Sequence, residues 1–76
     1  MKQVNIMLYT INDVKEFVQT VSGYDYDIDL VSGRYAVDAK SIIGIFSLDL
    51  SKPLKANIYS DDCAELLEQL DKFIER

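Results

Sequence analysis

The sequence predicts an α+β fold, an open-faced two-layer sandwich in which helices cover one face of a four-stranded antiparallel sheet. Three observations lead there. Apolar residues switch along the chain between two-residue spacing, which suits strands, and three- to four-residue spacing, which suits helices. Turn and capping residues fall where the spacing changes. Of the 76 residues, 49% are apolar, enough for a packed core and too many for a disordered chain. The resulting order is β-α-β-β-(α)-β-α, with the bracketed element undecided by pattern. Residues 1–76 are expected to fold as one domain, near the lower size limit for a core without staples.

Lys2 to Tyr9 is rich in Val, Ile, Met, Leu and Tyr and reads as the first strand. Thr10 and Asp13 stand at the spacing of a capping box, and Val14, Phe17, Val18 and Val21 give the helix that follows an apolar face. Ser22-Gly23 ends that helix, with the glycine placed for a left-handed cap. From Tyr26 to Val31, the residues Tyr26, Ile28 and Leu30 alternate with Asp27 and Asp29, which makes a strand with one wet face. Ser32-Gly33 marks a turn, and alternation resumes from Arg34 to Ala39, completing a hairpin. Ser41 to Leu50 is β-branched enough for a strand, yet Ser41 could cap a short helix on which Ile42, Ile45, Phe46 and Leu48 are helically spaced. Pattern leaves both open. Pro53 precedes a short strand, Leu54 to Tyr59, and Ser60, Asp61 and Asp62 are helix-start residues. Cys63, Leu67, Leu70 and Ile74 then form the stripe of a final helix of about four turns.

Charge and composition exclude several function classes. The net charge is −5 and the eight Lys and Arg residues are scattered, so neither nucleic acid nor an anionic membrane surface is an expected partner. No apolar run approaches the roughly 20 residues needed to span a bilayer. Met1 to Val4 runs straight into strand-like alternation, so no leader is expected, and the lone Cys63 fits a reducing compartment. A cytoplasmic monomer is expected. With no histidine, no metal-ligand cluster and no glycine-rich phosphate loop, neither an enzyme nor a cofactor is expected. Asp25, Asp27 and Asp29 share one strand face but stand about 7 Å apart, too far for one cation without loop ligands. They read as a solvated, edge-protecting face. Tyr24, Tyr26, Tyr35 and Tyr59 suit half-buried sheet positions, and Cys63 reads as buried rather than reactive.

The runs V-Q-T-V-S-G-Y-D-Y-D-I-D-L from Val18 and S-G-R-Y-A-V-D-A-K-S-I-I-G-I-F-S-L-D-L from Ser32 resemble the HPr family. HPr is the small phosphocarrier of the bacterial phosphoenolpyruvate:sugar phosphotransferase system. The resemblance implies the βαββαβα fold of that family and a short helix from Ser41 to about Leu48. It also implies that the chain departs from its relatives at the turn into the first helix. There HPr carries a phosphate-accepting histidine, an arginine that holds the phosphate, and a proline. Counted back without gaps from Val18, these positions hold Thr10, Asn12 and Asp13. Threonine has no basic nitrogen to carry a transferable phosphate, Asn12 has no charge to clamp one, and Asp13 puts a carboxylate where an anion would bind.

The second motif, K-S-I-I-G-I-F-S-L, is retained. By resemblance, Ser41 is a regulatory phosphorylation site served by a serine kinase, and its modified form meets a transcriptional regulator. A serine that opens a helix also needs no partner to be favoured, since capping alone is worth roughly 1 kcal/mol. Ile42, Ile43 and Phe46 match an apolar docking patch in HPr, and a thin domain cannot turn every residue of a short helix inward. Ile45 and Leu48 are assigned to the core. The leading expectation is a non-carrier regulatory or binding protein whose partners include phosphotransferase components. An assembly module on the same scaffold, unrelated to sugar transport, is the alternative.

Overall fold

Strand alternation decides which residues reach the core, and the computed structural model, which describes residues 1–75, follows it closely. The elements are β1 (Lys2–Ile6), α1 (Ile11–Val21), β2 (Ile28–Ser32), β3 (Tyr35–Asp38), α2 (Ile42–Phe46), β4 (Leu54–Ile58) and α3 (Ala64–Gln69), followed by a 3-10 turn at Asp71–Phe73. The sheet runs β1-β4-β2-β3 with every pairing antiparallel. Leu54, Ala56 and Ile58 of β4 point inward beside Ile28 and Leu30 of β2, while Lys55 and Asn57 face out. Gly33 closes the β2–β3 hairpin at φ +61°, a conformation that costs a side chain-bearing residue about 1–2 kcal/mol. Helix α1 seals the core with Val14, Phe17 and Val21.

The chain departs from the sequence expectation at four places. The first strand stops at Ile6, and the Met7 N–H donates to the Phe73 carbonyl at 2.8 Å. Gly23 takes no left-handed conformation: α1 ends at Ser22 with tightened bonds from Gly23 to Thr20 and from Tyr24 to Val21. The last helix is far shorter than four turns. It breaks at Leu70 because Ile74 leaves the helical path to pair with Ile6, and the Glu75 N–H donates to the Asn5 carbonyl at 2.8 Å. Covering the outer edge of β1 satisfies backbone groups that further helix would leave open. Asp61 and Asp62 precede α3 without capping it, since its N-cap is Cys63, and Asp61 pairs instead with the N-terminal ammonium at 3.2 Å.

The wet sheet face also differs. β2 lies inside the sheet, so its one aspartate, Asp29, protects no edge, and Asp25 and Asp27 both precede the strand. Asp29 instead accepts a hydrogen bond from the Tyr59 hydroxyl at 3.1 Å, and this bond raises the Tyr59 pKa above its ordinary value. Tyr24 and Tyr26 are half-buried, but they stack in the loop before β2 with ring centroids 5.6 Å apart; Tyr35 and Tyr59 are exposed. Cys63 is buried.

Candidate functional site

The turn into α1 and the start of α2 are the two places where the sequence concentrates chemistry, and each is organised by a local cap. At the first, Thr10 is the N-cap, and its Oγ1 accepts from the Asp13 N–H at 3.0 Å. In return, Asp13 Oδ2 accepts from the Tyr9 N–H at 2.9 Å and from the Thr10 N–H at 3.3 Å. The box predicted from spacing is therefore complete. Its consequence is chemical as well as structural. Backbone donors at a helix start attract anions, and here the Asp13 N–H serves the Thr10 hydroxyl while the Asp13 carboxylate takes the N–H groups of Tyr9 and Thr10 just before the helix. The chain has no histidine, and Asn12 at this turn is exposed and uncharged. Thr10→Ala should lower the unfolding free energy by about 1 kcal/mol in urea titration, since it removes the hydroxyl half of the box.

At the second place, Ser41 adopts an extended conformation and its Oγ accepts from the Gly44 N–H at 3.2 Å, so it caps α2. The side chain remains exposed. Gly44 leaves room for this bond: a Cβ there would come within 3.3 Å of the Ser41 Oγ and 3.2 Å of the Val37 Cβ. Lys40, next to Ser41, is not a free cation for this hydroxyl, because its Nζ donates to the Tyr24 carbonyl at 2.7 Å. The Asp38 carboxylate, three residues before Ser41, accepts from the Lys40 N–H at 2.9 Å.

Helix α2 divides its apolar residues between two sides. Ile45 is fully buried and Leu48 nearly so, and Ile42 is half-buried against the core. Ile43 is 82% exposed and Phe46 45% exposed. Five helical residues turn through little more than one revolution, so Ile43 and Phe46, which fall outside the inward-facing positions, cannot reach the core. Sequence reasoning missed Tyr9 and Ile11, which flank Thr10 with large apolar side chains in solvent. Ile11 continues the spacing of the buried α1 stripe, so periodicity gives the opposite signal at that position. Among the described residues there is no group of histidine, cysteine or carboxylate side chains arranged to hold a metal ion, and no helix is long and apolar enough to cross a membrane.

A family model described as the PTS HPr component phosphorylation site matches residues 12–76. The chain belongs to the HPr family. The match covers α1 through the C-terminus and begins at Asn12, so Thr10 lies outside it. HPr-C-His from Thermoanaerobacter tengcongensis is 31% identical, with 95% of this chain and 89% of that one covered, at a TM-score of 0.77. The phosphocarrier protein HPr from Bacillus anthracis strain Ames is 27% identical over 97% of this chain and 94% of that one, at a TM-score of 0.71. The HPr fold thus stands as expected, and the short helix that the resemblance implies from Ser41 to about Leu48 is present as Ile42–Phe46. The turn into α1, where the match begins, is a closed capping box.

Proposed function

We propose that this HPr-family chain is a non-carrier: it acts through protein contacts on the α2 face, and phosphorylation of Ser41 gates those contacts. The observation that carries this reading is the Thr10–Asp13 box, which occupies the carrier turn with its own hydroxyl and carboxylate. The second motif supports it from the other side. Ser41 is exposed at the helix start, and Ile43 and Phe46 present an apolar surface beside it that the core does not use. A phosphate on Ser41 would add about −1.5 to −2 charges at the end of α2. The amides of a helix start tolerate that charge, while a partner relying on apolar contact with Phe46 would sense it at once. The partners that fit are proteins of the phosphotransferase system, a serine kinase, or a transcriptional regulator that reads the modified form. No catalytic step falls to this chain. The test is an NMR titration of the isotope-labelled chain with an HPr kinase. Amide shifts centred on Ser41, Ile43 and Phe46 are expected, and a titration that moves no signal around Phe46 would contradict the docking role.

A further inference from the structure

A concave surface lies between the tip of the β2–β3 hairpin and the segment leaving α2. It is open to solvent, has a volume of about 540 Å³ and is lined by residues 32–35 and 47–49. Three of its side chains differ in what they offer. Arg34 brings a guanidinium, with five donors in a planar fork. Like Lys2, Lys15 and Lys55, it has no carboxylate partner among the described residues, and it is the cation that lines this cleft. Tyr35, beside it, is 68% exposed, and nearly buried Leu48 also lines the cleft. Asp49 brings the opposite polarity. Its Oδ1 is occupied by the Ser51 N–H at 3.1 Å and by the Ser51 hydroxyl, while its Oδ2 has only Lys52 at 4.0 Å. The Ser51 bonds hold the Asp49 pKa below its ordinary value, so the carboxylate is ionised at neutral pH.

The arrangement is selective. A bare dianion would gain from Arg34 but be repelled by Asp49, and a neutral polyol would leave the guanidinium unused. A molecule with a phosphate at one end, a ring to lie on Tyr35 and hydroxyls to donate to Asp49 satisfies all three. We propose that this cleft binds a small phosphate monoester carrying a hydroxylated ring. The site shares no lining residue with the carrier turn or with the exposed apolar residues of α2, so it stands or falls independently of the docking role.

The test is an NMR titration of the full chain with ribose 5-phosphate, run beside ribose alone and inorganic phosphate alone. Saturable shifts confined to residues 32–35 and 47–49 are expected for ribose 5-phosphate, with far weaker responses to either half. Arg34→Gln, an exposed turn substitution that should leave the fold intact, should weaken binding about tenfold or more by removing a charge-assisted contact. Asp49→Asn should narrow the preference for ribose 5-phosphate over inorganic phosphate. An absence of saturable shifts, equal affinity for inorganic phosphate, or unchanged binding in Arg34→Gln would each overturn the proposal.

Discussion

Phe17→Ala is expected to lower the unfolding free energy by about 3–5 kcal/mol, several times the loss of a helix cap such as that of Thr10. Phe17 is fully buried on α1 and meets Phe73 edge-on, with ring centroids 6.0 Å apart at 82°. Its removal opens a cavity between the helix and the C-terminal turn, where the core is only one layer deep. A domain of this size has about 4–11 kcal/mol of stability in all, so the variant should sit at or near its unfolding midpoint in dilute urea. The matched control is Phe46→Ala, which removes a side chain of the same size from the surface and should cost less than about 1 kcal/mol. Urea unfolding followed by circular dichroism compares them directly. Equal losses in the two variants would contradict the assignment of Phe17 to the core and Phe46 to the surface.

Ile43→Asp is expected to weaken binding of an HPr kinase by about thirtyfold or more, through the loss of at least the 2 kcal/mol typical of a hot-spot position, while barely altering stability. The side chain is 82% exposed, so an aspartate there loses little packing and should move the unfolding free energy by no more than about 0.5 kcal/mol. At the centre of an apolar contact, however, a carboxylate is desolvated without a partner to compensate it. Calorimetric titration of the two chains separates these effects. A variant that binds as well as the parent would show that the α2 face is not the docking surface.

Both results depend on features that are legible to different degrees in the sequence. The Thr10–Asp13 box is fully legible, because capping is local: two residues three apart carry the whole interaction. The inward set of the sheet is legible for the same reason, since alternation in β4 and β2 maps directly onto faces. The segment after Ser41 is not. Ile42, Ile43 and Ile45 are β-branched and suit a strand, and resemblance to the HPr family, not periodicity, decides for a helix. The end of the chain is illegible locally because its determinant is distant. Leu67, Leu70 and Ile74 keep helical spacing, but Ile74 serves the edge of β1, more than sixty residues earlier in the chain. Adjacency in sequence puts Lys40 beside the Ser41 hydroxyl, whereas the Tyr24 carbonyl, supplied by the loop after α1, draws its ammonium away. Tyr35 and Tyr59 illustrate the limit of residue-type preference. Aromatic residues favour pleated surfaces, yet Tyr35 is 68% and Tyr59 48% exposed.

The chain therefore carries an HPr scaffold in which one turn has been closed and another left open. The Asp13 carboxylate and Thr10 hydroxyl bond the N–H groups of Tyr9, Thr10 and Asp13 at the first turn; Ser41 stays exposed at the second. Phosphopeptide mapping by mass spectrometry, after parallel incubation with phosphoenolpyruvate plus the enzyme that charges HPr and with ATP plus an HPr kinase, tests this contrast most directly. The expected result is no phosphate on the peptide containing Thr10 in the first reaction and phosphate on Ser41 in the second. Phosphoenolpyruvate-dependent phosphate on the Thr10 peptide, or a Ser41 that stays unmodified by the kinase, would contradict it.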